Sequence, residues 1–221
     1  MRLFCCLAVV AVLLSLACGV GAETVENSVS IPWTATNWFE SLSLARFDSS
    51  LGTLTSATID LSGGLSGFIY FLNTDSEAQT IQVTQNGAEL FILPDGSGWA
   101  IDYSYAGPFS TPLLVEPEDG YSAMPGNSDT HQWTTIDTSV LNLLSGSGDF
   151  VIPLSASGVS TYSSSGNFDT VFMLRAEGAA RVTYTYTPAT AVPEAGSVGL
   201  ALSGLVSIAG LLRLRRRKGV L

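Results

Sequence analysis

The residues of this chain that could take part in chemistry are few and unevenly placed. His131 is the only histidine, so any serine triad would have to use it. No serine sits in a G-x-S-x-G elbow. Gly64-Leu65-Ser66-Gly67 comes nearest, with Phe68 where the last glycine belongs. Cys5, Cys6 and Cys18 all lie close to the N-terminus, and no lysine occurs between residues 23 and 191. Between residues 23 and 191 this removes cysteine nucleophiles, zinc–thiolate sites, lysine bases and lysine–asparagine cross-links. Eighteen acids in the same span allow some carboxylate pair to meet, but spacing singles out none as a glycosidase dyad. No catalytic, cofactor-binding or metal residue is assigned, and the reading is that the chain is not an enzyme. A surface-glycan hydrolase using unmarked carboxylates is the least favoured alternative.

Binding chemistry has two candidate sources. Glu116, Glu118 and Asp119, with Asp129 as an addition, offer hard oxygen ligands to calcium. The E-P-E-D-G run lacks the alternating acids that wrap a chain around that ion, so a solvated acidic loop is the favoured reading. Trp33, Trp38, Trp99 and Trp133 offer stacking platforms for sugars. Aromatics of a β domain more often fill its core, and Trp99 falls in a core pattern.

The elements that must position these residues read as strands. Ala57, Ile59 and Leu61 alternate with Thr58 and Asp60, and Ile81 and Val83 with glutamine and threonine. Trp99, Ile101, Tyr103 and Tyr105 share one face, as do Phe150, Ile152 and Leu154, and Val182, Tyr184 and Tyr186. A period of two is that of a strand with one buried face. Asn86-Gly87 predicts a tight hairpin turn. Turn formers at 62–64, 94–98, 144–149 and 161–167 punctuate the pattern. Residues 106–133, with four prolines, read as a long loop holding at most an edge strand. The expectation is an all-β, antiparallel β-sandwich, jelly-roll-like, over residues 23–188.

Both ends carry targeting signals. Met1 and Arg2, the apolar run Leu3–Leu16 and the small residues at Val20-Gly21-Ala22 predict a signal peptide over 1–22, cleaved between Ala22 and Glu23. Lipid attachment at Cys18 is a lesser alternative. The mature chain then holds no thiol and no disulfide, and its stability must come from an ordinary core. Between 23 and 191 three arginines face eighteen acids. So acidic a domain repels nucleic acid and anionic membrane surfaces, and tolerates calcium or neutral polysaccharide better. Residues 189–221 comprise a linker, the Val192-Pro193-Glu194 motif, an uncharged run over 195–212, and a basic cluster at Arg213, Arg215, Arg216, Arg217 and Lys218. The run is at the short end of what spans a bilayer, and the cluster would hold its far end in the cytoplasm.

That order of motif, short span and basic cluster resembles the PEP-CTERM sorting signal of envelope-bearing bacteria. The resemblance implies passage through the Sec translocon, removal of the leader by signal peptidase and transient anchoring in the inner membrane. It further implies processing near the motif by exosortase, with delivery to the cell envelope, the cell surface or the extracellular space. The usual motif is Val-Pro-Glu-Pro, and Ala195 stands at its last position here. The domain is similar to the choice-of-anchor E type through Thr36-Asn37-Trp38, Phe47-Asp48, Leu51-Gly52-Thr53-Leu54 and the closing Val182–Pro188. Together these imply a structural, adhesive or polysaccharide-associated protein of the extracellular matrix, with no defined catalytic motif. A permanently anchored single-pass protein is the alternative.

Overall fold

Alternation dictates the architecture. Along the strand Gly52–Asn73 every second residue from Ala57 to Asn73 is buried, and the residues between are partly or fully exposed except at Gly64. A computed structural model describes residues 21–107 and 111–189. It contains β1 (Glu23–Ala35), β2 (Trp38–Ala45), β3 (Gly52–Asn73), β4 (Gln79–Ile92), β5 (Gly98–Tyr105), β6 (Leu113–Val115), β7 (Gly120–Ala123), β8 (Gly126–Thr135), α1 (Thr138–Leu143), β9 (Asp149–Ser164) and β10 (Phe168–Pro188). The described residues therefore form an all-β structure of two antiparallel sheets. The first runs β1-β10-β3, with β8 and β7 pairing successive stretches of the free edge of β3. The second runs β2-β9-β4, with β5 and β6 sharing the free edge of β4.

Their inner faces hold the core that the alternation predicted. Ile59, Leu61, Phe91, Ile152, Leu154 and Val182 are fully or almost fully buried in one cluster, which Phe47, Tyr184 and Tyr186 close with tilted ring contacts at 5.2–5.8 Å. A middle cluster holds Leu65, Ile101, Tyr103 and Leu174, and a third holds Ile69, Phe71, Ile81 and Val83. Helix α1 is a single short element whose Asp137 cap accepts the Ser139 amide at 2.8 Å, while Leu141 faces the core. Among the described residues no helix is long and apolar enough to cross a membrane. The expected leader up to residue 20, the expected sorting motif at 192–194, the uncharged run at 195–212 and the basic cluster at 213–218 lie outside the described residues.

Three sequence expectations are corrected. Asn86-Gly87 makes no turn: β4 runs through it, because β5 and β9 pair it from both sides. Gly87 faces inward, where an added Cβ would lie 2.7 Å from Leu174 Cδ2, so this glycine makes room for a leucine. The Ser62-Gly63-Gly64 run likewise lies inside β3, paired with both β10 and β8. Residues 106–133 are not one loop. Pro112, Pro117 and Pro125 fall in the connections before β6, β7 and β8, so they punctuate strands without interrupting a ladder. The polar sequence of β8 hides its strand character, because its inward residues seal an edge. Asn127 donates to the Asp102 carbonyl at 2.9 Å, His131 stacks on Trp99 at 5.5 Å, and Trp133 Nε1 donates to Asp95 Oδ2 at 3.1 Å.

The interior is not wholly apolar. Gln85 on β4 is fully buried and donates to the Phe68 carbonyl at 3.2 Å, Ser160 Oγ at 3.0 Å and the Met173 carbonyl at 3.3 Å. It thereby ties the second sheet to β3 and β10 of the first. Two repeats of the pleat further along β4, Glu89 is also fully buried. Its carboxylate presses on Gly63 and Gly178, where an added Cβ would meet it at 2.4 and 3.1 Å. Among the described residues neither oxygen has a hydrogen-bond partner, and neither has Trp38 Nε1. Register places Trp38 and Glu89 on either side of Ala156.

Candidate functional site

The most chemically varied surface is the outer face of the first sheet. Strand register sets its rows. Ser28, Arg181, Asp60 and Gln132 cross the sheet side by side, and the next row is Ser30, Ala179, Ser62 and Thr130. Short side chains in the middle strands leave a trough between β1 and β8. One hollow of about 840 Å³ lies over these two rows, and a second of about 460 Å³ follows over Ser62, Ser128 and Glu177. A third, of about 540 Å³, lies at the far end among Trp33, Phe68, Met124, Met173 and Arg175.

The polar groups in the first hollow are held in place. Asp60 accepts from Gln132 Nε2 at 2.7 Å and pairs with Arg181 Nη2 at 2.9 Å. The bond from Gln132, more than that from Arg181, holds the Asp60 carboxyl below the usual range, against the cost of its partial burial. A half-exposed pair of this kind adds little stability, but it fixes a carboxylate and a guanidinium facing the trough. Around it stand hydroxyls, with Thr58 and Thr134 bonded across strands at 3.1 Å.

Trp33 reaches the trough through a backbone irregularity. The register between β1 and β10 shifts between Ile31 and Thr34, a bulge that contains Pro32 and Trp33. Bulges re-aim side chains. The end of the indole lies over Gly64, where a Cβ would come within 3.1 Å of Cη2, and 44% of Trp33 stays exposed. The other three tryptophans are partly buried against the core, as expected for Trp99. Sequence reasoning named Trp33 without separating it from the others, because the bulge that exposes it leaves no periodic trace. It missed Asp60, Gln132 and Arg181, which meet only through strand pairing.

The acidic candidates do not converge. Glu116, Glu118 and Asp119 are exposed on the turn between β6 and β7, held to the end of β3 by Glu118 N–Asn73 O and Asn73 N–Asp119 O bonds of 3.1 and 2.9 Å. Asp129 pairs with Gly63, nine residues back along β3 from the Leu72 that faces Gly120, roughly 30 Å away. No cluster of three potential metal-ligating side chains occurs among the described residues. His131 is committed to Trp99, and no serine is hydrogen-bonded to it among the described residues. The trough presents hydroxyls, one amide, one ion pair and an aromatic edge.

No family model matches the chain, and no curated protein is similar to it. Solved structures show faint likeness. One of infectious bursal disease virus, Gx strain, is 14% identical at a TM-score of 0.16, covering 77% of this chain and 38% of that one. A structural-genomics target, SoR45, is 9% identical at 0.16, covering 63% and 86%. The parasporin-2 toxin of Bacillus thuringiensis is 8% identical at 0.19, covering 75% and 68%. This chain thus spans well under half of the viral chain. Values so low carry no argument, and the class stated here, an all-β sandwich with a polar trough on one sheet, rests on the structure alone.

Proposed function

We propose that this chain is an exported β-sandwich protein of the bacterial envelope or extracellular matrix, and that its trough binds polysaccharide. The carrying observation is the trough itself: a hydroxyl-lined surface spanning four strands, with an exposed tryptophan at one end. Sugars present hydroxyls to polar side chains and C–H faces to aromatic rings, and such a surface offers both. The strand order supports a jelly roll, with two four-stranded paths, β1-β10-β3-β8 and β2-β9-β4-β5. Delivery follows from the two ends: signal peptidase cuts before Glu23, the 195–212 run halts in the inner membrane, and exosortase processes the chain at Val192-Pro193-Glu194. It fits this reading that β1 begins at Glu23 itself.

The binding half is tested by passing the full-length protein over immobilised exopolysaccharide of its host. Retention should drop at least tenfold for Trp33→Ala, and no retention of the natural chain would overturn it. The delivery half is tested by the intact mass and C-terminal peptide of the protein recovered from that host. A C-terminus near Pro193 or Glu194 supports processing. One still carrying Arg213 to Lys218 supports the second reading, favoured by Ala195, of a permanently anchored single-pass protein.

A further inference from the structure

The third hollow differs from the rest of the trough. Hydroxyls line the other two, whereas here Phe68, Met124 and Met173 give an apolar lining beneath the edge of Trp33, with Ser66 the lone hydroxyl. Arg175 stands at its rim, exposed on the outer face of β10. The two trough arginines are in opposite states. Arg181 is satisfied by Asp60 through two donors, at 2.9 and 3.3 Å. Arg175 has no carboxylate within ion-pair distance among the described residues, and its Nε donates to Met173 Sδ at 3.0 Å. A sulfur is a weak acceptor, so this contact orients the guanidinium along the hollow without neutralising it. Glu177, two residues along the strand, faces the neighbouring hollow instead.

A guanidinium with free donors beside an aromatic edge and an apolar floor has a definite complement. It is a saturated ring with C–H groups on one face and a carboxylate at its edge. We propose that this hollow is a subsite for a uronic-acid residue, the sugar ring against Trp33 and the carboxylate on Arg175, so that the polysaccharide bound by this chain is uronate-bearing. The inference rests on the polysaccharide reading above and narrows it. The acidity of the domain as a whole favours neutral polymers at long range. At physiological salt, screening within about 8 Å leaves the contact between one carboxylate and Arg175 to local geometry.

The test uses the full-length protein with polygalacturonate, alginate and hyaluronate, each beside its carboxyl-reduced counterpart. At least one native polymer should bind tenfold or more tightly than its reduced form. Arg175→Gln should erase that preference, leaving binding equal to that of the reduced polymer, and Arg175→Lys should keep part of it. Trp33→Ala should weaken binding to both forms. Equal binding of every native and reduced pair overturns the uronate subsite and leaves the polysaccharide reading in place, as does a preference that survives Arg175→Gln. Binding to none of these polymers, and none to the host exopolysaccharide, overturns both. Circular dichroism of each variant, expected to match the natural chain because Arg175 and Trp33 are exposed, separates loss of contact from loss of fold.

Discussion

Glu89 sits in the centre of a sandwich with no partner among the described residues for either carboxylate oxygen, so its charged form is the costly one. Burial raises its pKa from 4.5 to about 8; the nearby Gly64 amide opposes this from outside hydrogen-bond geometry, and the charge of Glu177 adds to it. Between the unfolded value and about 8 the folded chain holds a proton that the unfolded chain releases. Stability therefore falls as pH rises through that window, by up to about 1.4 kcal/mol per unit, and levels off above it. Glu89→Gln keeps the shape and removes the titration. Urea unfolding of this variant between pH 5 and 9 is expected to lose the slope and to exceed the natural chain in stability at pH 8. A slope unchanged by the substitution would place its origin elsewhere. Gln85, four residues earlier on the same face, is the opposite case: its amide reaches three acceptors, and Gln85→Leu is expected to cost about 2 kcal/mol by stranding them.

At the scale of elements, the corner between β1 and β2 shows how one residue type fixes a chain reversal. Asn37 has a φ of 73°, in the left-handed region that asparagine tolerates, and its side chain exchanges two bonds with Gly158, at 3.0 and 3.3 Å. Asn37→Gly retains the backbone but loses the bonds, whereas Asn37→Ala loses both. Denaturant midpoints should rank natural chain, glycine variant, alanine variant, with about 2 kcal/mol or more between first and last. In the proposed binding role, the bulge at Pro32-Trp33 is the counterpart. Gly64→Val on β3, across β10 from the bulge, adds atoms where the indole lies, so ligand retention should fall while the unfolding midpoint moves little, a split readable by running both assays on one sample. Neither device is legible from periodicity. The alternating apolar sets of β3, β5, β9 and β10 were legible, because a buried face leaves a period of two. The length of β3 and β4 was not, because Gly63, Gly64 and Asn86-Gly87 have local preferences for turns that pairing on both sides overrides. Strand β8 was missed for a related reason: its inward side chains are Asn127, Asp129, His131 and Trp133, which cap an edge and so resemble a loop.

Over the whole molecule, two sets of carboxyls act in opposite directions. Asp48, Asp75, Asp95 and Asp137 are held below 3.8 chiefly by bonds from neighbouring serines or Asn167, and Asp60 by Gln132. Stability from these groups is present above the unfolded value and is lost as pH falls through their lower folded values. Combined with Glu89, which destabilises progressively above 4.5, they predict a stability maximum between about pH 4 and 5. Thermal melts across pH 3–9 check this, and a maximum at pH 7 or above would contradict it.

The central position of β10 has a mechanical consequence. The chain leaves the sheet at Pro188, and β10 is paired along its length by β3 on one side and from Arg175 to Tyr186 by β1 on the other. Trp33 and Arg175 lie toward the other end of that strand, roughly 43 Å from Pro188 over thirteen residues. If the chain is held by its tail while a polymer grips that far end, tension runs lengthwise along β10. Load applied at Trp33 passes from β1 to β10 through the β1–β10 ladder, whose hydrogen bonds bear it together in shear, rather than parting one at a time as they would in peeling.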